Sequence, residues 1–336
     1  MLTYAFPTVN LTHKPTPLER LDNLSADLGT NIWVKRDDCT GLAFGGNKTR
    51  QLEYYIGRAQ SLGADTLLTT GAVQSNHVRM TVAAANKLGM DVEVQLEHRV
   101  DRDQVEYQQS GNPFLVKLMG AKIHYYSQGE DPEGADQAMI DRAEQLKAEG
   151  KKPYIIPLSN AAAPYGALGY VEAAEELLSQ LKAINVTADQ FFLPTGSAST
   201  HAGFLLGMRA CGCDAPVQGI CIRRDANSQQ QRVKTKIASV IDLMKLNIEI
   251  DIDDIVCNDR FLAPGYGHLN APTSAAIKLL ARRQGLLLDP TYSGKAFAAL
   301  IDWVQQNRPS PQQHIVFLHT GGAPSLFAYP ELVADD

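Results

Sequence analysis

Short apolar runs alternate with longer stretches whose apolar residues recur every three or four positions, from one end of the chain to the other. The runs at residues 65–70, 92–96, 191–194, 217–222 and 315–319 predict strands, with shorter candidates at 32–35, 122–125 and 154–157. Helical spacing predicts helices from the 45–50 loop to about residue 62, over 77–88, 135–149 and 165–181, and from the 195–199 loop to about residue 210. Further helices are expected around 228–246 and over 271–284 and 294–306. Continuous apolar strands separated by helices predict an α/β fold built on mainly parallel sheet covered on both faces.

At 336 residues the chain has room for about two domains. Its 44% hydrophobic and 20% charged residues are those of an ordinary globular enzyme or binding protein. A net charge of −6 gives no support to a nucleic-acid surface. The pairs Arg223-Arg224 and Arg282-Arg283 are either solvated or hold a small anion, and neither is interleaved with aromatics. Five scattered cysteines, including the close pair Cys211 and Cys213, lack the spacing of a zinc site, so reduced thiols and no metal are expected. No run of about 18 apolar residues is present to span a membrane, and the N-terminal residues lack the pattern of a signal peptide. A cytoplasmic protein is expected.

In open α/β sheets ligands sit at the carboxyl ends of strands. Three loops that leave predicted strands carry small polar residues: 71–77 with Ser75, Asn76 and His77; 195–201; and His319-Thr320-Gly321-Gly322. The second loop, Thr195-Gly196-Ser197-Ala198-Ser199-Thr200, opens a helix, and helix N–H groups with hydroxyls beside them suit a phosphate dianion. Ser197 or Ser199 acting only as a helix cap leaves the same trace. In the first loop Asn76 has a donor to offer a ligand oxygen and Ser75 a hydroxyl to relay a proton; a plain N-cap with an exposed His77 fits the local sequence equally well.

Gly45-Gly46-Asn47-Lys48 is the fourth candidate. Paired glycines let backbone approach a ligand closely, and a lysine held there forms an imine with a carbonyl once it loses its proton. An exposed lysine after a flexible turn would look the same. The stretch is not a phosphate-binding P-loop, because Asn47 stands between Gly46 and Lys48. Tyr292, between a proline turn and a helix start, suits stacking on an aromatic cofactor or acid catalysis. Tyr266 lies on a glycine-flanked loop, where exposure is expected.

Taken together and in order, Pro15-Thr16-Pro17-Leu18, Lys35-Arg36-Asp37-Asp38, Gly45 to Arg50, Gln74 to His77, Leu288 to Lys295 and His319 to Pro324 resemble the fold-type II pyridoxal-phosphate enzymes. More narrowly the chain resembles the family of 1-aminocyclopropane-1-carboxylate deaminases and D-cysteine desulfhydrases, which includes the cysteate sulfo-lyases. The resemblance implies two open, mostly parallel sheets flanked by helices, as in the tryptophan synthase β chain. It implies a large domain from residues 1–46 and 165–336, a small one from 47–164, and the active site in the cleft between. Pyridoxal 5'-phosphate is the implied cofactor. Lys48 would hold its aldehyde, with Asn47 adjoining; Asn76 would bond its ring hydroxyl, Thr195, Gly196, Ser197, Ala198, Ser199 and Thr200 would cradle its phosphate, and Thr320 would face its ring nitrogen. Tyr292 and Tyr266 would lie beside cofactor and substrate. Ser75, Asn76, His77, Ser159, Asn160 and Tyr266 would contact the substrate, with Lys48, Ser75, Tyr266 and Tyr292 as the catalytic set.

Two departures from the family pattern narrow the activity. Ser293 stands where the cyclopropane deaminases carry a glutamate after the tyrosine, which argues against ring opening. Residues 156–161, with Ser159 and Asn160, replace a glycine-serine run of the desulfhydrases. The expectation is an α,β-elimination on a β-sulfur-substituted alanine, giving pyruvate and ammonia with sulfide from D-cysteine or sulfite from L-cysteate. A sulfonate would want a cationic or amide partner, with Arg79, Arg223 and Asn160 as candidates. Racemisation or β-replacement on the same scaffold, and a non-catalytic ligand-binding protein, are the alternatives. A nicotinamide dehydrogenase fails for want of the Gly-x-Gly-x-x-Gly turn. A small-molecule substrate, no nucleic acid, no membrane and a homodimer complete the expectation.

Overall fold

The computed structural model describes residues 2–129, 131–157 and 162–334, so Ser159 and Asn160 lie outside the described residues. Among the described residues the strands run in the order β1 (Leu18–Arg20), β2 (Asn31–Lys35), β3 (Thr66–Ala72), β4 (Asp91–Glu97), β5 (Lys122–Tyr126), β6 (Pro153–Ile155), β7 (Gln190–Thr195), β8 (Val217–Cys221), β9 (Val256–Asn258) and β10 (His314–Leu318). The first six helices are α1 (Asp22–Leu28), α2 (Lys48–Ser61), α3 (Asn76–Lys87), α4 (Val105–Gln109), α5 (Asn112–Leu118) and α6 (Pro132–Ala148). They are followed by α7 (Tyr165–Ala183), α8 (Ser199–Ala210), α9 (Ala226–Met244), α10 (Ala271–Gln284) and α11 (Ser293–Asn307).

The strands form two open sheets. One has six strands in the order β1-β2-β10-β7-β8-β9, antiparallel at the β1–β2 edge and parallel elsewhere. The other has four parallel strands, β5-β4-β3-β6. All seven residues of β3 are buried, as expected of a central parallel strand with helices on both faces. In the larger sheet, Phe192, Ile315 and Phe317 pack on one side with Ala296, Phe297 and Leu300 of α11, and with α10 through Ile277 and Leu280. Phe191, Leu193 and Val316 pack on the other with α7, α8 and α9. In the smaller sheet Leu67 meets α2 and α3, while Leu68 meets Met139, Ala143 and Leu146 of α6. Among the described residues no helix is long and apolar enough to cross a membrane.

Every strand and long helix expected from the sequence is present. The expectation omitted β1, α1, α4, α5 and β9, whose three to seven residues carry no readable period.

Candidate active site

A cavity of about 330 Å³ opens at the carboxyl ends of strands from both sheets. Thr70 to Ala72 of β3, Glu97 of β4, Pro194 and Thr195 of β7, Arg223 and Arg224 after β8, and Thr320 and Gly321 after β10 all line it. Lys48, the first residue of α2, reaches it from a half-buried position. Burial alone holds the Lys48 ammonium below its ordinary range, at about 8.

Glycine fixes the approach of the lysine loop. Gly46 has φ 129°, and a Cβ on Gly321 would lie 2.7 Å from the Gly46 Cα, so the His-Thr-Gly-Gly turn closes onto the Gly-Gly-Asn-Lys turn only without side chains. Asn47 ties the pieces together. Its backbone N–H donates to the Thr320 carbonyl at 3.0 Å and its side-chain amide to the Thr200 hydroxyl at 2.9 Å.

The Thr195–Thr200 loop enters α8 through Ala198, which adopts φ 75° and gives the helix no side-chain cap. The first N–H groups of α8 therefore lack both an intrahelical carbonyl and a capping side chain. Thr200 accepts amide hydrogens from Asn47 and from Gln51, each at 2.9 Å, which leaves its own hydroxyl hydrogen to donate. Thr195, Gly196, Ser197, Ala198 and Thr200 line the cavity, whereas Ser199 is buried with its hydroxyl bonded to Tyr55. Arg224 donates to the Gly196 carbonyl at 3.3 Å.

On the opposite wall Ser75 caps α3, its hydroxyl accepting from the Val78 N–H at 3.2 Å. Asn76 has its side-chain carbonyl occupied by Arg79 at 2.8 Å and Asn112 at 3.0 Å, so its NH₂ group faces the cavity. His77 is buried rather than exposed, bonded to Thr69 at 2.9 Å and held near pKa 3 chiefly by burial. Arg79 does not line the cavity. Fully buried, it also bonds Asn112 at 2.6 Å and the Gly45 carbonyl at 2.8 Å, so it braces the lysine loop against α3.

Tyr266 is half-buried against the core of the larger sheet, not exposed as its loop suggested. Its hydroxyl lies 2.7 Å from that of Tyr292, with the rings edge to face at 6.0 Å. Burial raises both phenols, so both stay protonated at neutral pH. Ser293 is buried away from the cavity and donates to Asp289 at 2.6 Å.

Sequence reasoning gave no role to Thr70, Glu97, Arg99, Asp136 and Arg232, nor to His201 at the end of the 195–201 loop, which also line the cavity. Arg99 forks onto Glu97 at 2.6 and 2.7 Å. No motif links these residues, because they sit one or two at a time on different strands and helices: Thr70 on β3, Glu97 and Arg99 at the end of β4, Asp136 on α6, His201 on α8 and Arg232 on α9. Arg223, expected as a candidate partner for a substrate anion, lines the cavity together with its neighbour Arg224.

Residues 9–321 match the family described as "Pyridoxal-phosphate dependent enzyme". The chain is 41% identical over 324 residues to D-cysteine desulfhydrase of Serratia proteamaculans (strain 568), covering 96% of each chain. It is 42% identical over 324 residues to D-cysteine desulfhydrase of Salmonella paratyphi C (strain RKS4594), again over 96% of each. A crystal structure described as an ACC deaminase homologue superposes with a TM-score of 0.88 at 35% identity, over 99% of this chain and 97% of that one. A cavity lined by both Lys48 and the turn that opens α8 is thus set in a sequence alike along nearly its whole length, and the chain belongs to the fold-type II pyridoxal-phosphate dependent enzymes, in the family of the 1-aminocyclopropane-1-carboxylate deaminases and D-cysteine desulfhydrases.

Proposed function

We propose that this cavity carries out α,β-elimination on a β-sulfur-substituted alanine, releasing pyruvate, ammonia and the sulfur group. The observation that carries the reading is Lys48, whose amine burial brings to a pKa of about 8 inside the cavity. The residues present fit pyridoxal phosphate. Lys48 offers an amine for its aldehyde, and the uncapped start of α8 with the Thr200 hydroxyl suits its phosphate. The outward NH₂ of Asn76 suits its ring hydroxyl, and Thr320 its ring nitrogen.

The bound cofactor supplies an electron sink that makes negative charge at an amino-acid Cα affordable. The protein supplies the rest. Near pH 8 a substantial share of Lys48 is neutral, and its Nζ takes the Cα proton. Ser75 faces the substrate carboxylate, with its hydroxyl fixed by the Val78 amide. The Tyr266–Tyr292 pair keeps one phenolic hydrogen for the other phenol and one for the ligand. Thr320, a neutral hydroxyl, would keep the ring nitrogen less protonated than a carboxylate would, which suits a β-leaving group that departs quickly with its electron pair. Ser293, turned into the Asp289 pocket, supports a reading without cyclopropane opening.

The relatives' names point to D-cysteine and sulfide. Four arginines on the cavity wall, Arg99, Arg223, Arg224 and Arg232, favour a second reading: a substrate with a β-sulfonate, releasing sulfite. Incubation with D- and L-cysteine and D- and L-cysteate, with pyruvate, sulfide and sulfite assayed, tests both readings. Pyruvate with an equal amount of one sulfur product is expected from one of the four and none from Lys48→Ala; racemised substrate without pyruvate would overturn the elimination reading.

The two sheets, each with its own core, support a division into a large domain (1–46 and 165–336) and a small one (47–164). A cytoplasmic homodimer is proposed with it. Five free cysteines suit a reducing compartment, and exposed Phe114, Leu118 and Phe327 suit cover by a second copy.

A further inference from the structure

Lys295 is fully buried on the first turn of α11, three residues beyond Tyr292. A buried ammonium is costly unless its hydrogens are all used, and a methionine would fill the same space without that cost. The hydrogen bonds of Lys295 tie it to one loop: its Nζ donates to the Leu262 carbonyl and to the Gly265 carbonyl, each at 2.9 Å. Those carbonyls bracket Ala263 and Pro264, and the next residue is Tyr266.

The loop has no regular hydrogen-bond ladder of its own, and side chains hold it from outside. Asn270 donates to the carbonyls of Phe261 at 3.1 Å and Ala263 at 2.7 Å, and Tyr329 donates to that of Gly267 at 2.7 Å. Asp289 does the matching task for the other tyrosine. It accepts the backbone N–H groups of Thr291, Tyr292 and Ser293 at 2.8–3.0 Å and so fixes the chain at Tyr292. Lys295 thus joins the helix that begins just after Tyr292 to the backbone immediately before Tyr266.

We propose that Lys295 is a positioning residue for the elimination, the strut that holds the Tyr266 hydroxyl against that of Tyr292. The proposal rests on the reaction assigned above, and acts entirely through Tyr266. A misplacement of about 1 Å at a group remote from the chemistry is enough to cost on the order of 100-fold in rate.

Two readouts test it, one of them independent of turnover. With the β-sulfur substrate, Lys295→Met should lower kcat by about 10- to 100-fold while KM changes less than about threefold. The double variant Tyr266→Phe/Lys295→Met should be no slower than the slower single variant, because the strut acts only through that phenol. Multiplying losses, or an unchanged kcat, would overturn the proposal. In the cofactor-free protein, near-ultraviolet difference titration follows the phenols directly. Lys295→Met should bring one tyrosine down toward the ordinary value of about 10, and the change should vanish in a Tyr266→Phe background. The same titration in all backgrounds would contradict the strut even if no substrate were turned over, so failure of the assigned reaction and failure of the strut are told apart. Lys295→Gln keeps a donor too short to span both carbonyls and carries the same test should the methionine variant not fold.

Discussion

Lys48 takes its character from where α2 begins. It is the first residue of the helix, at the edge of a cavity, and burial is the one cause of its lowered pKa. An amine attacks an aldehyde only when neutral, so cofactor capture should follow the neutral fraction. Stopped-flow mixing of cofactor-free protein with pyridoxal phosphate should show a capture rate that rises with pH through a midpoint of about 8. A midpoint near the ordinary lysine value of about 10.4 would contradict the burial argument. At this scale the sequence was readable wherever chemistry came as a contiguous string, as in Gly45 to Lys48 or Thr195 to Thr200. It was unreadable where orientation decides the role: the outward turn of the Asn76 amide depends on Arg79 and Asn112, and no spacing rule announces Arg79 as a buried brace.

Elements were legible in proportion to their period. Helices such as α10 and α11 follow their apolar spacing closely, because one face of each packs on the larger sheet. β9 is only three residues long, paired in parallel beside β8 at the edge of the sheet, and contact defines it rather than sequence. Polar contacts between elements were also invisible. Glu93, in the middle of β4, receives both arms of Arg142 from α6 at 2.8 and 2.9 Å, with His124 at 2.7 Å and Lys122 at 3.1 Å from β5. The Arg142 bonds, followed by those of His124 and Lys122, hold the carboxyl near pKa 2. A carboxylate depressed on folding contributes stability above its unfolded value of about 4.3 and loses it as pH falls through its folded value. Glu93→Gln should therefore cost about 1–2 kcal/mol at neutral pH, discounted for the solvent around Lys122 and His124. The gap between the two melting curves should hold down to about pH 4.3 and shrink toward pH 2. A gap that does not depend on pH would show that packing, not charge, is what the glutamine disturbs.

The whole molecule places its chemistry where neither sheet suffices alone. The smaller sheet brings Ser75 and Asn76 at the start of α3, and the larger one brings the phosphate-suited turn before α8 and the two tyrosines. Lys48 stands between them on α2, hinged to the larger part through Asn47 and Thr200. That a ligand should lie at strand carboxyl ends was foreseeable from the α/β pattern; that two separate sheets point their ends at one space was implied only by resemblance. The central claim is covalent, and one measurement meets it directly. Protein saturated with pyridoxal phosphate is treated with borohydride, digested, and searched by mass for the reduced pyridoxyl group. The account predicts that group on Lys48 and on no other lysine. Its appearance elsewhere, at the buried Lys35 or Lys295 for example, or its absence altogether, would contradict the account.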